Sequence, residues 1–201
     1  MLRKQRKDEL KERIFATSLQ LFKEKGFERV TVDEITKACG IAKGTFYNYF
    51  PKKDTILLHL GSYQMEVVHQ VISRLSNLPG IKERLLAIFK ELFVYLEENR
   101  DLVKVVYYEL FHSQTIMEQE GNQVKEFQAA LVPIIKEGIT NHELKGHMNP
   151  ESLSSLVISI YFQTVMNWLS FPDQVQNPVS MFLDQFEMVW EGIGVDKKGE
   201  E

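Results

Sequence analysis

The chain has 201 residues, 44% hydrophobic and 26% charged, a composition that excludes a disordered or collagen-like polypeptide and suffices for a sizeable buried core. Its single cysteine, Cys39, excludes an internal disulfide framework and a four-cysteine zinc site. The net charge of −4 hides a division: residues 1–53 hold 13 Lys and Arg against 7 Asp and Glu, a net +6, and residues 54–201 are left with −10. A basic start on an acidic remainder points to a polyanion met by the first quarter alone.

Apolar residues recur at spacings of three and four along nearly the whole chain, so the expected fold class is all-α, with about nine helices. Leu10, Ile14, Phe15, Ser18, Leu19 and Phe22 form a first stripe, ended by Gly26. Val32, Ile35 and Cys39 form a second, ended by Gly40; Phe46 and Phe50 anchor a short third segment that stops at Pro51. A long fourth helix follows within 54–77, and Pro79-Gly80 breaks it. The next helices are expected over about 81–98 and 101–117, with Gly121 as a break. A long helix is expected over 122–144, kinked or shortened by Pro133. Asn149-Pro150 and Asn177-Pro178 each place a capping asparagine before a first-turn proline, opening helices over about 150–170 and 178–193. The charged tail 196–201 is expected to fray.

Residues 31–53 carry the chemical signal. Thr31-x-x-Glu34 is a capping box that fixes a helix start, and Gly40 can take the left-handed conformation that ends the helix. Two short helices across a tight turn make a helix-turn-helix. The second needs only Phe46 and Phe50 inward, which leaves Lys43, Gly44, Thr45, Tyr47, Asn48 and Tyr49 to meet solvent. A cation, hydroxyls, an amide and a glycine suit phosphates and base edges in a major groove.

Residues from about 7 to 60 resemble the DNA-binding region of the TetR/AcrR family of bacterial transcriptional regulators. The resemblance rests on Phe22, Gly26-Phe27, Thr31-Val32, Ile35, Cys39-Gly40-Ile41, Lys43-Gly44-Thr45-Phe46-Tyr47, Tyr49-Phe50 and Lys52-Lys53. It implies a three-helix DNA-binding domain over 1–53 and a helical effector-binding and dimerisation domain over 54–201, with the helix 54–77 as connector. By the same resemblance Lys43, Gly44, Thr45, Tyr47 and Tyr49 face DNA, and Thr31 and Lys53 hold phosphates. Family members often start the recognition helix with serine; Ala42 departs from that.

Other features admit two readings. Lys52 and Lys53 are either a solvated pair or, for Lys53, a phosphate contact. Arg3, Lys4, Arg6 and Lys7 are either a solvated tail or an arm for the minor groove. Phe89, Tyr107, Phe111, Tyr161 and Trp168 belong to a core or line an effector cavity. Leu156, Ile160, Phe182, Phe186 and Val189 on the last two helices are candidates for half of a four-helix dimer interface.

The implied function is a ligand-responsive DNA-binding regulator, usually a repressor in this family, reading a near-palindromic operator as a homodimer. Its composition suggests an apolar or aromatic effector, and the acidic remainder argues against a large polyanionic one. No cofactor and no metal are expected: Glu109-x-x-His112 has the spacing used by helical di-iron sites, but those also need two further carboxylates from other helices. No membrane association is expected either. The basic start is followed by Asp8 and Glu9, not by the apolar run of a secretory signal, so the expected location is cytoplasmic. A helical enzyme and a protein-interaction module are the rivals, but the nucleotide-binding, zinc-protease and nucleophile-elbow motifs are missing from the sequence.

Overall fold

The computed structural model describes residues 2–75, 78, 80–110, 112 and 114–193, with side chains described except at 2–5, 60–63, 109–110, 115–116 and 193. Among the described residues there are nine helices and no strand. They are α1 (Leu2–Lys25), α2 (Val32–Cys39), α3 (Lys43–Tyr47), α4 (Thr55–Arg74), α5 (Ile81–Glu98), α6 (Arg100–Leu110), α7 (Gln114–Thr140), α8 (Pro150–Ser170) and α9 (Pro178–Ile193). No helix among them is long and apolar enough to cross a membrane.

One expectation about the helices fails, as does one of the two outcomes expected of Pro133. The break foreseen at Gly121 falls earlier, between Leu110 and Gln114, and α7 runs through Gly121. Gly121 is exposed; a helical glycine there costs about 1 kcal/mol relative to alanine, which packing elsewhere along 27 residues can outweigh. Pro133 does not end α7 either. It lies on the solvent side, so the carbonyl one turn earlier, which loses its N–H partner, can turn to water. A third reading, the minor-groove arm, is replaced as well: residues 2–25 are one helix.

The chain divides into two compact units, residues 1–63 with 99–120 and residues 64–98 with 121–201. In the first, α1 packs on α2 and α6, and α2 on α3. Its core gathers Ile14, Phe15, Phe22, Phe27, Val30, Ile35, Phe46, Phe50, Ile56 and Leu57, none more than 6% exposed. Phe22 meets Phe27 edge-on at 4.9 Å, and Phe15 meets His59 at 4.7 Å. His59 Nε2 is 2.9 Å from Glu12 Oε1, which ties the first half of α4 to α1.

In the second unit α9 packs on both α5 and α8. Its centre is a ring cluster: Phe89 lies 4.7 Å from Phe182, 5.5 Å from Tyr161 and 5.6 Å from Phe127, and Phe93 lies 5.3 Å from Tyr161. Such tilted and edge-on pairs place ring edges on ring faces, as the aromatic quadrupole favours. Arg84 is only 7% exposed, and its Nη1 donates to Glu137 Oε2 at 2.7 Å, so the buried guanidinium has a carboxylate partner. Asn149 and Asn177 cap α8 and α9 as the sequence foretells, their side-chain oxygens accepting from Ser152 N at 2.7 Å and Ser180 N at 3.1 Å.

Candidate nucleic-acid interface

The interface is built from its caps outward. Glu34 N donates to Thr31 Oγ1 at 3.2 Å, and Thr31 N donates to Glu34 Oε2 at 3.0 Å, closing the capping box. Lys25 Nζ donates to Glu34 Oε1 at 2.8 Å. That bond first, and the Thr31 amide second, hold the Glu34 carboxyl down at about 2. Gly40 sits at φ +64°, a conformation that a side chain resists. Its N–H donates to Lys37 O at 3.2 Å, and that of Ile41 to Thr36 O at 3.0 Å. This paired closure stops α2 and turns the chain into α3.

Ala42 caps α3 with no side-chain hydrogen bond, as its methyl group dictates. Phe46 and Phe50, 0% and 2% exposed, hold the segment from inside. Lys43, Gly44, Tyr47 and Asn48 are exposed, Tyr47 at 48%, and Thr45 and Tyr49 are half-buried. The segment therefore presents an ammonium, a carboxamide and a phenol beside a bare backbone stretch at Gly44, with the Thr45 hydroxyl and Tyr49 ring at the margin. Hydrogen-bond donors and acceptors of this kind can read base edges.

Two cations are already engaged. Lys43 Nζ is 2.7 Å from Asp33 Oδ1, and this hydrogen bond raises the Lys43 pKa. Lys53 Nζ donates to Phe27 O at 2.8 Å and to Val30 O at 3.1 Å, and stands 4.2 Å from the centre of the Phe27 ring. It thereby closes the turn between α1 and α2. Thr31 is exposed, but its hydroxyl is occupied by the capping box. Asp33 has no signal in the sequence as a partner of Lys43, because only the Gly40 turn brings residues ten apart together.

The aromatics expected around an effector divide. Phe89 and Tyr161 come together in the second unit, where Gln64 Nε2 donates to Tyr161 Oη at 2.7 Å. Trp168 is buried in the same unit. Tyr107 belongs to the first unit, and its buried Oη has no hydrogen-bond partner among the described residues. Burial, and then the charge of Glu120, raise the Tyr107 pKa; burial pushes the Glu120 carboxyl up to about 7. Phe111 lies outside the described residues. A small void of about 10 Å³ opens among Leu85, Ile135, Leu144, Val157, Phe186 and Trp190, all apolar side chains with at most one indole N–H.

The residues expected at a dimer surface differ in exposure. Phe182 and Phe186 are 0% and 1% exposed, and Ile160 8%. The chain's own rings enclose Phe182, so these side chains have almost no surface to offer a partner. Val189 is half-buried. Leu156 is 42% exposed; Met166 at 42%, Phe171 at 52% and Met188 at 74% are further exposed apolar side chains.

Comparison with known proteins follows the same division. Residues 14–60 match the family of bacterial regulatory proteins of the tetR type, and residues 59–185 match the C-terminal region of YsiA-like proteins. The chain is 26% identical over 182 residues to the fatty acid metabolism regulator protein of Bacillus subtilis, covering 90% of this chain and 93% of that one. Among solved structures, it is similar to the Thermus thermophilus TetR-family repressor FadR in complex with lauroyl-CoA, with a TM-score of 0.77, 22% identity and coverage of 95% and 98%. It is also similar to FadR of Bacillus subtilis in complex with stearoyl-CoA, with a TM-score of 0.73, 23% identity and coverage of 90% and 98%. Helix-turn-helix, caps and helical remainder agree with these matches: the chain belongs to the TetR family of DNA-binding bacterial transcriptional regulators.

Proposed function

We propose that the protein acts as a homodimeric repressor whose two α3 segments enter successive major grooves, about 34–36 Å apart, of a near-palindromic operator. The observation that carries this reading is the outward face of α3, where Lys43, Gly44, Tyr47 and Asn48 are exposed over inward Phe46 and Phe50. Tyr47, Asn48 and the neighbouring Thr45 and Tyr49 serve base edges and sugar–phosphate contacts. Lys43 exchanges Asp33 for a phosphate on binding. Thr31 and Lys53 act chiefly by fixing the turns that aim α3. The exposed apolar side chains Leu156, Met166 and Met188 supply the dimer contact.

The effector is proposed to be a fatty acyl thioester of coenzyme A. Support comes from a relative that regulates fatty acid metabolism and matches along 90% of the chain, and from the apolar centre of the second unit. The rings of Phe89, Phe93 and Phe127 and the side chains around the void match an acyl chain in polarity. The acidic net charge argues against an anionic headgroup, but a headgroup needs only a local set of cations. Binding would release DNA through a difference in effector affinity between two conformations, typically 1–3 kcal/mol.

The test is displacement. The operator, first obtained by selection from random duplexes, is bound to the protein and titrated with lauroyl-CoA, stearoyl-CoA, free fatty acid and free coenzyme A. Release by the long-chain thioesters alone supports the reading. Equal indifference to all four would contradict the effector assignment while leaving DNA binding intact. Tyr47→Ala should abolish specific binding without dissociating the dimer.

A further inference from the structure

Tyrosine near a protein surface ordinarily buries its ring and leaves its hydroxyl to water. Tyr107, on α6 in the first unit, does the reverse. Its side chain is half-buried, but its Oη is enclosed and has no hydrogen-bond partner among the described residues. Buried hydroxyls are nearly always paired, and an orphan costs stability. Phenylalanine would fill the same space without that cost. A second group of the same unit shares the condition. Glu120, half-buried in the first part of α7, has no hydrogen bond or ion pair among the described residues. Burial is the one influence resolved on its carboxyl, so no cation compensates it. Burial first, and the charge of Glu120 second, raise the pKa of Tyr107. The phenol and the carboxyl are therefore near enough to feel each other, yet no hydrogen bond joins them.

Such a gap fits a third group, and the two sides ask different things of it. The phenol O–H lacks an acceptor, and the carboxylate lacks a positive donor. An anion could take the phenol's hydrogen but is repelled by the carboxylate. A plain alkyl group leaves both unpaired. An ammonium with an oxygen beside it meets both, since a buried carboxylate is best compensated by a hydrogen-bonded cation. We propose that Tyr107 and Glu120 form a binding site for a small organic ammonium carrying a neighbouring hydrogen-bond acceptor. The ammonium donates to the Glu120 carboxylate, and the acceptor receives the Tyr107 O–H. Both side chains are partly exposed, so the ligand reaches them without crossing the core. The site lies in the unit that carries α3 and is independent of the acyl thioester reading.

The test assigns one ligand group to each residue. The full-length protein is titrated calorimetrically at pH 8, above the Glu120 value of about 7, with 1-amino-2-hexanol, hexylamine, 1-hexanol and hexanoate. Wild type should bind them in the order amino alcohol, hexylammonium, hexanol, with hexanoate weakest. Tyr107→Phe should remove the advantage of the amino alcohol over hexylammonium, about 10-fold for one hydrogen bond. Glu120→Gln should remove the advantage of hexylammonium over hexanol, about 10-fold or more for a charge-assisted contact. Glu118→Gln, at an exposed neighbour, should change neither ratio. Neither Tyr107→Phe nor Glu120→Gln should lower the melting temperature of the free protein, because each removes an unpaired buried group. A clear loss of stability in Tyr107→Phe would show that the hydroxyl is paired within the protein and would overturn the site. So would ratios unmoved by the two variants, or binding of none of the four compounds, which would leave water as the bridge.

Discussion

Replacing Lys53 separates two accounts of a lysine beside a recognition helix. In the structure its ammonium donates to the carbonyls of Phe27 and Val30 at 2.8 and 3.1 Å and stands 4.2 Å from the Phe27 ring. A hydrogen bond from a charged donor is worth about 1.5–3 kcal/mol net, but Lys53 is half-buried, and solvent screening brings each bond nearer 1 kcal/mol. The ring contact adds about 0.5–1 kcal/mol. Lys53→Ala should therefore cost about 2–3 kcal/mol. For a chain of 201 residues that lowers the melting temperature by roughly 5–10 °C, at about 2–4 °C per kcal/mol. Melts followed by circular dichroism measure the first quantity, and anisotropy titrations at several salt concentrations measure the second. Operator affinity should fall, because the turn that aims α2 and α3 loosens, but the salt slope should stay within error of wild type. An unchanged melting temperature with a slope reduced by about 1.8, two phosphates per dimer, would refute the reasoning and make Lys53 a phosphate clamp.

Ala42→Ser should supply the side-chain cap that α3 lacks and stabilise the protein by about 0.5–1 kcal/mol, read as a raised melting temperature. Glu120 has a folded-state pKa raised to about 7 by burial, so its ionisation opposes folding. The penalty grows as pH rises from the ordinary value of 4.5 towards 7 and is complete above it. Glu120→Gln should thus stabilise the protein at pH 8 and have little effect at pH 4, in paired thermal melts. Gly138→Ala brings a Cβ within 3.1 Å of Ile81 Cγ1 and Leu144 Cδ1; overpacking there should cost about 1–3 kcal/mol, and a neutral result would mean that the α5–α7 contact yields freely. Leu156→Glu, or Met188→Glu, should shift sedimentation from dimer to monomer, whereas an undisturbed dimer would move the interface off this face.

The caps were the most legible features of the sequence. Thr31, Asn149 and Asn177 each cap with their own side-chain oxygen and Gly40 with its own backbone, all over a few residues, so their residue type announces the geometry. The helix α5 was equally legible, because Pro79-Gly80 precedes it and an apolar stripe fills it. Gly121 and Pro133 misled because a breaker only weakens a helix; packing along the rest of α7 decides whether the helix continues. The role of Lys53 was hidden because its partners are main-chain carbonyls 23 and 26 positions away, and carbonyls have no residue type. Phe182 and Phe186 share their helix with exposed Met188, and periodicity alone gives no way to tell which apolar face the chain keeps for itself. The aromatic residues show the same limit: Phe89 and Tyr161 meet in one unit, and Tyr107, of the same chemical type, belongs to the other.

The central claim is that two copies of α3 read a duplex together. Selection of binding sites from random duplex DNA, at a fixed and stated salt concentration, tests it most directly. The account predicts an enriched near-palindrome whose half-sites lie about one helical turn apart, or a multiple of it, and predicts that Tyr47→Ala enriches nothing. Enrichment of a single half-site would contradict the dimeric reading. Enrichment of the same sequence by the Tyr47→Ala variant would contradict the assignment of α3 as the reader.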